Sequence, residues 1–212
     1  MPKTLIIAEK PSVATDLARV LGKLPELGKF QKKKDFFENE HAYISSAVGH
    51  LVELKMPEGP NGKKLPWGMK HLPIIPPRFE LQPIERSLPR YKVLLKLLKK
   101  KDVETVVNAC DAAREGELIF RSIIEHTKAK APTSRMWLQS MTAGAIKTAW
   151  EGRQPSETYD NLGAAARSRS EADWIIGMNG SRVGNTFLKG RRERTTISLG
   201  RVQTATLAMI AD

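Results

Sequence analysis

The sequence has few of the features that mark secreted or membrane proteins. Cys110 is the only cysteine in 212 residues, which excludes an internal disulfide and disfavours a zinc site built on thiolates. No stretch approaches the roughly 20 apolar residues that span a bilayer, and residues 1–10 lack the apolar core of a secretory signal. The sequence therefore predicts a soluble, cytoplasmic protein without a membrane partner.

Acidic residues are scarce relative to basic ones. The chain carries 35 Lys and Arg against 23 Asp and Glu, which gives a formal net charge of +12. Such an excess favours a polyanionic partner, and composition alone does not choose between nucleic acid and an anionic membrane face. Apolar residues make up 41% of the chain, enough for a sizeable core.

Strand and helix patterns alternate through the first 150 or so residues. Strands are predicted at 4–8, 41–48, 103–109 and 135–139, and helices at 11–21, 91–101, 117–126 and 143–150, the last capped by Thr142. The segment 56–89 is rich in proline and glycine, which predicts irregular chain without an α-helix. The alternation indicates an α/β fold with a mainly parallel, Rossmann-like sheet covered on both faces.

The pattern changes after Gly152 and Pro155. It becomes helical through Met178, then basic and polar from Lys189 to Arg194, and finally apolar and helical up to Asp212. We therefore divide the chain into a first domain at 1–153 and the start of a mostly α-helical, truncated second domain at 154–212.

Acidic residues follow two of the predicted strands. Glu9 comes directly after the first, and Asp111, Glu115 and Glu117 follow the strand at 103–109. The carboxyl ends of parallel strands share one edge of a sheet, so Glu9 and Asp111 can converge although they lie about a hundred positions apart. Such oxygens suit Mg²⁺. Taken in isolation, the second stretch is better explained by acidic residues that favour and cap a helix N-terminus.

The order of motifs along the whole chain resembles that of type IA DNA topoisomerases, especially their topoisomerase III branch. The Toprim domain of that family is matched by Ile7-Ala8-Glu9-Lys10-Pro11-Ser12 and by Asp111-Ala112-Ala113-Arg114-Glu115-Gly116-Glu117. Further matches are Gly49 to Leu54, Leu72 to Pro76, Arg135 to Trp137, Ala172 to Asn179, and Ser198 to Thr204. Each segment alone is weakly specific, and their common order carries the resemblance.

The resemblance implies a divalent metal site and a phosphate-binding lysine. The family's acidic centre corresponds to Glu9, Asp111 and Glu115, with Mg²⁺ bound and Mn²⁺ as a substitute. Ala113 stands where the family usually has a second aspartate, so one carboxylate is missing, and water or Glu117 is a candidate for its place. Glu9 and Lys10 are the expected catalytic residues, with Lys10 holding the phosphate at the point of cleavage.

The resemblance also implies a nucleophile that we do not find in this chain. Type IA enzymes cut one DNA strand with a tyrosine, which forms a covalent phosphotyrosine link. Tyr43, Tyr91 and Tyr159 lack the residues that surround the family's tyrosine, and we interpret them as core or interface aromatics. We therefore expect the 212-residue chain to be inactive in cleavage by itself.

Residues of the second segment match the family's groove for single-stranded DNA. Arginines supply cations for the phosphates, and polar side chains supply further contacts. The predicted DNA-binding residues are Arg167, Arg169, Asp173, Arg182, Ser198, Arg201 and Gln203. Trp174 is interpreted as a core residue, and the lysine runs at 32–34 and 99–101 as solvated faces.

The sequence thus predicts part of an ATP-independent topoisomerase that acts as a monomer on DNA together with further domains of the same enzyme. Two alternatives stay open. The first is another Toprim enzyme, a primase or nuclease, in which the acidic site works without a tyrosine. The second is a DNA-binding accessory protein whose acidic centre has decayed, which Ala113 favours.

Overall fold

The computed structural model describes residues 2–59, 61–188 and 195–211. The strands are β1 Lys3–Ala8, β2 Gln31–Lys32, β3 Phe37–Glu38, β4 Ala42–Ser46, β5 Val52–Leu54, β6 Leu81–Pro83, β7 Val103–Ala109, β8 Thr133–Arg135 and β9 Gln154–Pro155. The α-helices are α1 Pro11–Leu21, α2 Leu88–Leu98, α3 Arg114–Thr127, α4 Ala143–Glu151, α5 Asp160–Phe187 and α6 Arg201–Ala211. Short 3₁₀ helices lie at Met69–His71, Glu85–Ser87 and Ser156–Tyr159.

The described chain forms two compact units. The first comprises Met1–Glu53 and Leu81–Ala166, and the second comprises Leu54–Glu80 and Arg167–Asp212. The proline-rich stretch leaves the first unit after β5 and returns to it at β6, and these two strands pair with each other. Among the described residues of 56–87 there is no α-helix, as the sequence predicts, and α2 begins at Leu88.

The first unit is built on a seven-stranded sheet with the order β2-β3-β4-β1-β7-β8-β9. The four central strands, β4, β1, β7 and β8, run parallel, whereas β2, β3 and β9 add antiparallel edges. Side chains alternate across β1, so Ile6 faces one side of the sheet and Leu5 the other. This arrangement confirms the predicted α/β class, with antiparallel edges that the sequence pattern did not indicate.

Helices cover both faces of this sheet. On one face, α1 and α4 bury Leu17, Leu21 and Ile146, and on the other, α2 and α3 bury Leu94 and Phe120. Thr142 caps α4 by accepting a hydrogen bond from the Ala145 backbone N–H, as predicted. Layers of this kind on a parallel sheet leave its carboxyl edge open between the helices.

Two predicted elements have different bounds in the structure. The strand expected at 135–139 is β8, which ends at Arg135, and beyond it only an isolated bridge joins Asp111 to Leu138. The helix expected at 117–126 begins three residues earlier, at Arg114, because the extended Ala113 forms its N-cap. Glu115 and Glu117 therefore lie inside the first turn of α3.

In the second unit, the carboxyl-terminal half of α5 packs against the proline-rich segment. Asn179 accepts a hydrogen bond from the Ile74 N–H at 2.6 Å and donates one to the Ile74 carbonyl at 2.9 Å. Trp174 meets Phe79 edge to face, with ring centroids 5.5 Å apart. These contacts agree with the interpretation of Trp174 as a packing residue.

Candidate active site

The candidate site, which we name the acidic edge, consists of Glu9, Lys10, Asp111 and Glu115. Glu9 directly follows β1 and Asp111 is the second residue after β7, and the two strands pair in parallel with Ala8 opposite Ala109. The sheet therefore brings the ends of both strands together, as the sequence predicts. Lys10 Nζ lies 3.2 Å from Asp111 Oδ2 and 3.5 Å from Glu9 Oε1.

The lysine is held in its charged form by these two carboxylates. The hydrogen bond and charge of Asp111, with a smaller contribution from Glu9, raise the pKa of the Lys10 ammonium above its ordinary value. Lys10 is also the N-cap of α1, and Pro11 occupies the first helical turn. A cation at the N-terminus of a helix, where backbone N–H groups face outward, is a suitable arrangement for a phosphate.

Glu9 is the most enclosed carboxylate of the acidic edge. Its side chain is 12% exposed, and Oε2 is buried without a hydrogen-bond partner among the described residues. The Glu9 carbonyl accepts hydrogen bonds from the N–H groups of Val48 and Gly49, both with positive φ. This loop after β4 therefore fixes the backbone on which Glu9 stands.

Glu115 contacts a histidine that the sequence analysis did not single out. His50 Nε2 and Glu115 Oε1 form a hydrogen-bonded pair. His50 follows β4, which is the parallel neighbour of β1, so it reaches the same edge of the sheet. The family motif Gly49-His50-Leu51 was a signal for this position, but it gave no indication of the partner.

The predicted metal triad of Glu9, Asp111 and Glu115 does not converge on one point. No three His, Cys, Asp or Glu side chains within the described ranges lie close enough together to hold a metal ion. Lys10 lies between Glu9 and Asp111, and Glu115 turns to His50. Arg114 lies between these acidic residues in sequence, but it is exposed and pairs with no carboxylate in the part of the chain that is described.

Glu117 does not take the place of the carboxylate that is missing at Ala113. It is 1% exposed and lies 2.6 Å from Arg121 Nε and 3.2 Å from Arg135 Nε, and it accepts a hydrogen bond from Asn108. A buried carboxylate needs such partners to offset the loss of water. Glu117 is therefore a structural residue, and the suggestion that it serves as a substitute ligand is wrong.

Arg135 holds the backbone beneath the acidic edge. Its guanidinium is fully buried and donates to the carbonyls of Cys110 at 2.7 Å and Asp111 at 2.6 Å. Burial lowers the pKa of Arg135, whereas the neighbouring Glu117 raises it. The same burial raises the pKa of the Cys110 thiol, which therefore stays protonated. The sequence motif at Arg135 was recognised, but not this role.

The predicted DNA-binding residues fall into three environments. Arg169 and Arg201 approach Asp173, at 3.7 Å and 2.7 Å, and the Arg201 hydrogen bond is the main cause of the lowered pKa of Asp173. Ser198 donates to Gln203 Oε1 at 3.2 Å, and Arg167 is exposed. These side chains lie on or beside α5 and the start of α6.

Arg182 differs from the other predicted DNA contacts. It is 2% exposed and donates to the carbonyls of Leu65 and Pro66, with its guanidinium over the Trp67 ring. This placement argues for a structural role that fixes the proline-rich segment, in place of the predicted contact with DNA. The basic residues 189–194 lie outside the described part of the chain.

Two family models match separate parts of the chain. A model of the Toprim domain matches residues 4–141, and a model described as DNA topoisomerase matches residues 157–212. The Toprim match covers more than half of the chain and includes the whole acidic edge, so the chain belongs to the Toprim family. Domains of this class generally bind divalent metal ions.

More particularly, the chain is homologous to the amino-terminal part of type IA DNA topoisomerase 3. The DNA topoisomerase 3 of Bacillus cereus is 42% identical over 212 residues, which is 100% of this chain and 27% of that protein. The enzyme of the same name from Bacillus subtilis is 41% identical and covers the same share of this chain. The chain thus spans only about 28% of the length of such relatives.

A solved structure has the same fold. Full-length topoisomerase I from Thermotoga maritima superposes with a TM-score of 0.59 over 97% of this chain and 29% of that one, at 23% identity. The predicted fold class is therefore confirmed. No helix in the described ranges is long and apolar enough to cross a membrane.

Proposed function

We propose that this chain supplies the metal- and phosphate-binding part of an ATP-independent type IA DNA topoisomerase, which cuts one DNA strand, passes another through the break and reseals it. The observation that carries the proposal is the position of Lys10 Nζ, 3.2 Å from Asp111 and 3.5 Å from Glu9. Carboxylates and a cation on one edge of a parallel sheet form a site for a phosphate with its metal ion.

The donor atoms of the acidic edge suit a divalent cation, although the three carboxylates do not converge in this structure. Their donors are carboxylate oxygens, the ligands that Mg²⁺ prefers, and the buried Glu9 Oε2 is without a partner in the described structure. Glu9, Asp111 and Glu115 would hold Mg²⁺, with Mn²⁺ as a substitute, once Lys10 moves from between Glu9 and Asp111 and Glu115 leaves His50. When bound, the ion would stabilise the charge that develops on phosphate oxygens during cleavage and resealing.

Lys10 acts on the phosphate itself in this proposal. The neighbouring carboxylates raise its pKa and so stabilise its ammonium form further, and it stands at the N-terminus of α1. A fixed cation at that point stabilises the negative charge of the reacting phosphate more than a mobile one in water does. Glu9 orients Lys10 through Oε1, so we assign Glu9 and Lys10 the catalytic roles.

The tyrosines of this chain are unsuited to attack DNA. Tyr43 is buried and donates to Asp102, and Tyr91 is buried with its hydroxyl bonded to His126. Tyr159 stacks on Trp137 with ring centroids 5.2 Å apart. We therefore propose that the 212-residue chain binds metal and DNA but forms no covalent DNA adduct by itself.

Metal binding tests the acidic edge directly. Mn²⁺ should bind weakly to the chain, and Asp111→Asn should weaken binding further because a neutral amide replaces an anionic carboxylate ligand. Ala113→Asp should tighten it by restoring a carboxylate at the N-cap of α3. Mn²⁺ binding is measured by water-proton relaxation enhancement. The control is Glu104→Gln, which changes the charge by the same amount at an exposed position of β7. Equal binding in Asp111→Asn and Glu104→Gln would disprove the site.

We further propose that the second unit binds single-stranded DNA in preference to duplex. Support comes from Arg169 and Arg201, which Asp173 holds beside each other, and from the exposed Ser198. A single strand offers flexible phosphates and base faces to such side chains, whereas a duplex stacks its bases inside.

The test for this binding is fluorescence anisotropy with matched single- and double-stranded oligonucleotides across a salt series. Arg201→Ala should lower the logarithmic salt slope by about 0.7, the value for one phosphate contact with a single strand. Lys101→Ala, which removes an exposed lysine of the first unit, should leave the slope unchanged. Tighter binding of duplex, or equal slopes in the two variants, would contradict the proposal.

The remaining assignments concern the whole enzyme. We propose a boundary between the two family domains at 153 and 154, which the gap between family-model matches at 141 and 157 supports, although β9 and residues up to Ala166 pack with the first unit. We also propose that the protein works as a monomer in the cytoplasm, associated with chromosome or plasmid DNA, through contacts with further domains of the same enzyme. Both relatives are named as DNA topoisomerases, which favours this function over a primase or nuclease.

A further inference from the structure

A cavity of about 450 Å³ lies at the last turn of α1, in the first unit. Its lining includes Phe30 and Phe37, together with the cations Arg19, Lys23, Lys29 and Lys32. Glu9 stands before the first turn of the same helix, and 11 residues of α1 separate the two places by roughly 16 Å. The cavity is therefore distinct from the acidic edge.

The cations around this cavity come from different elements of the fold. Arg19 lies in α1, Lys23 follows it, Lys29 precedes β2, and Lys32, which the sequence suggested was part of a solvated face only, belongs to β2 and lines the cavity. Basic residues at a helix C-terminus have an ordinary explanation in the helix dipole, but this explanation does not extend to Lys29 and Lys32. Their convergence on one cavity creates a positive rim.

Few carboxylates neutralise the positive charge of the rim. Arg19 pairs with Asp16 at 2.9 Å, whereas Lys23, Lys29 and Lys32 are exposed and pair with no carboxylate in the described part of the chain. No acidic side chain lines the cavity in the structure as described. Charge complementarity therefore requires an anionic occupant.

The floor of the cavity is apolar and aromatic. Phe30 is buried in the core cluster, and Phe37 is half-buried against the same cluster. Gly22 permits this packing, because a Cβ there would lie 2.6 Å from the Ala18 carbonyl and 3.3 Å from the Phe30 ring. Sites for ligands typically combine an apolar floor with a few placed polar groups, in volumes of about 300–1,000 Å³.

We propose that this cavity binds a nucleotide of single-stranded DNA, with the base against the two phenylalanines and the flanking phosphates on Lys23, Lys29 and Lys32. The faces of an unpaired base are flat and apolar, and its flanking phosphates are anionic. A single strand therefore matches both the aromatic floor and the positive rim of the cavity. A duplex keeps its bases stacked and cannot fill the floor. The site is an additional DNA contact on the Toprim domain, and it does not depend on the acidic edge.

The first experiment compares two triple variants of the 212-residue chain with equal charge changes. Lys23→Gln/Lys29→Gln/Lys32→Gln should reduce the salt slope of single-strand binding by about 2, since each phosphate contact contributes roughly 0.7. Lys92→Gln/Lys96→Gln/Lys101→Gln replaces three exposed lysines elsewhere in the unit and should change the slope by less than half as much. Equal changes in the two triples would overturn the proposal.

The second experiment uses the unaltered chain and so does not depend on the folding of a variant. An oligonucleotide that carries 5-iodouracil is photocrosslinked to the protein, and the adduct is mapped by mass spectrometry. The proposal predicts a crosslink at Phe30 or Phe37. An excess of unlabelled single-stranded DNA should abolish this crosslink, and an excess of duplex DNA should leave it in place. Crosslinks confined to other residues, or competition by polyglutamate as strong as by the oligonucleotide, would overturn it.

Discussion

At the scale of single residues, the acidic edge depends on groups that never touch a phosphate. Arg135 binds the carbonyls of Cys110 and Asp111 from below, and Glu117 balances its charge. Removing one partner of a buried ion pair typically costs about 3–5 kcal/mol, because the other charge stays buried. The position of Asp111 therefore rests on a charged network in the protein interior.

Gly116 has an equally specific role beside this network. A Cβ at this position would lie 2.2 Å from the Asp111 carbonyl oxygen and 2.8 Å from its nitrogen. Both atoms are backbone and cannot rotate away. The glycine of the Glu115-Gly116-Glu117 motif is therefore required for the close approach of α3 to the Asp111 loop, and not for an unusual φ.

The Gly116→Ala variant tests this requirement. It should lower the free energy of unfolding by about 1–3 kcal/mol through overpacking and should also weaken Mn²⁺ binding, because the Asp111 backbone must move. Gly144→Ala is the matched control, since nothing lies within 4 Å of its added Cβ and it lies in α4. The control should raise stability by about 0.5–1 kcal/mol. Equal thermal shifts in the two variants would contradict the account.

Part of the acidic edge could be predicted from the sequence. The placement of Glu9, Lys10 and Asp111 follows from strand ends, which depend on local patterns and on parallel pairing. The partners of Glu115, Glu117 and Arg135 depend on side-chain directions within the folded interior, which no local pattern encodes. For the same reason the burial of Arg182 was not foreseen, since its partners lie more than a hundred residues away in sequence.

At the scale of elements, α2 and α3 are joined by a link between two polar side chains. Tyr91 and His126 Nδ1 are 2.7 Å apart, and burial lowers the pKa of His126. Burial also raises the pKa of Tyr91, so the tyrosine keeps its proton and serves as the donor to neutral His126. Protonation of the imidazole would remove this acceptor and place a charge among apolar neighbours.

This link predicts a pH dependence of stability. Below the ordinary histidine value of 6.5, the unfolded chain binds a proton at His126 that the folded chain resists, so the free energy of unfolding falls with falling pH. Neutral His126 makes its full contribution to the free energy of unfolding above pH 6.5. Replacing His126 with Gln should flatten urea-unfolding free energies between roughly pH 5 and 6.5. The exposed His41→Gln is the control, and the same flattening in both would contradict the assignment.

Elements with strong periodicity were predicted well from sequence, and short ones were not. β7 has the predicted bounds, and α1 begins at Pro11 and ends before Gly22 as expected. The two-residue strands β2, β3 and β9 are antiparallel edges whose existence depends on the partner strand rather than on their own composition. The bounds of β8 differ from the predicted ones because the chain after Arg135 pairs with the sheet only at one bridge.

At the scale of the whole molecule, the described chain separates into a unit with a complete sheet and a unit dominated by helices. The second unit exposes apolar side chains along α6, including Val202, Leu207 and Ile210. The sequence predicted a change of character after residue 152, but the assignment of 54–80 to the second unit was not foreseen. Long-range packing such as that of Asn179 on Ile74 decides it.

The proposed function of this chain is the Toprim part of type IA topoisomerase action. The most direct measurement uses a chimera in which this chain replaces the aligned segment of Bacillus subtilis DNA topoisomerase 3. The segment and this chain are 41% identical over all 212 residues of this chain. The purified chimera is then assayed for Mg²⁺-dependent relaxation of supercoiled plasmid. We expect relaxation by the chimera and by its Glu104→Gln variant, and none by its Lys10→Ala variant. A folded chimera that binds DNA but does not relax it, or one whose Lys10→Ala variant relaxes it as fast, would contradict the account.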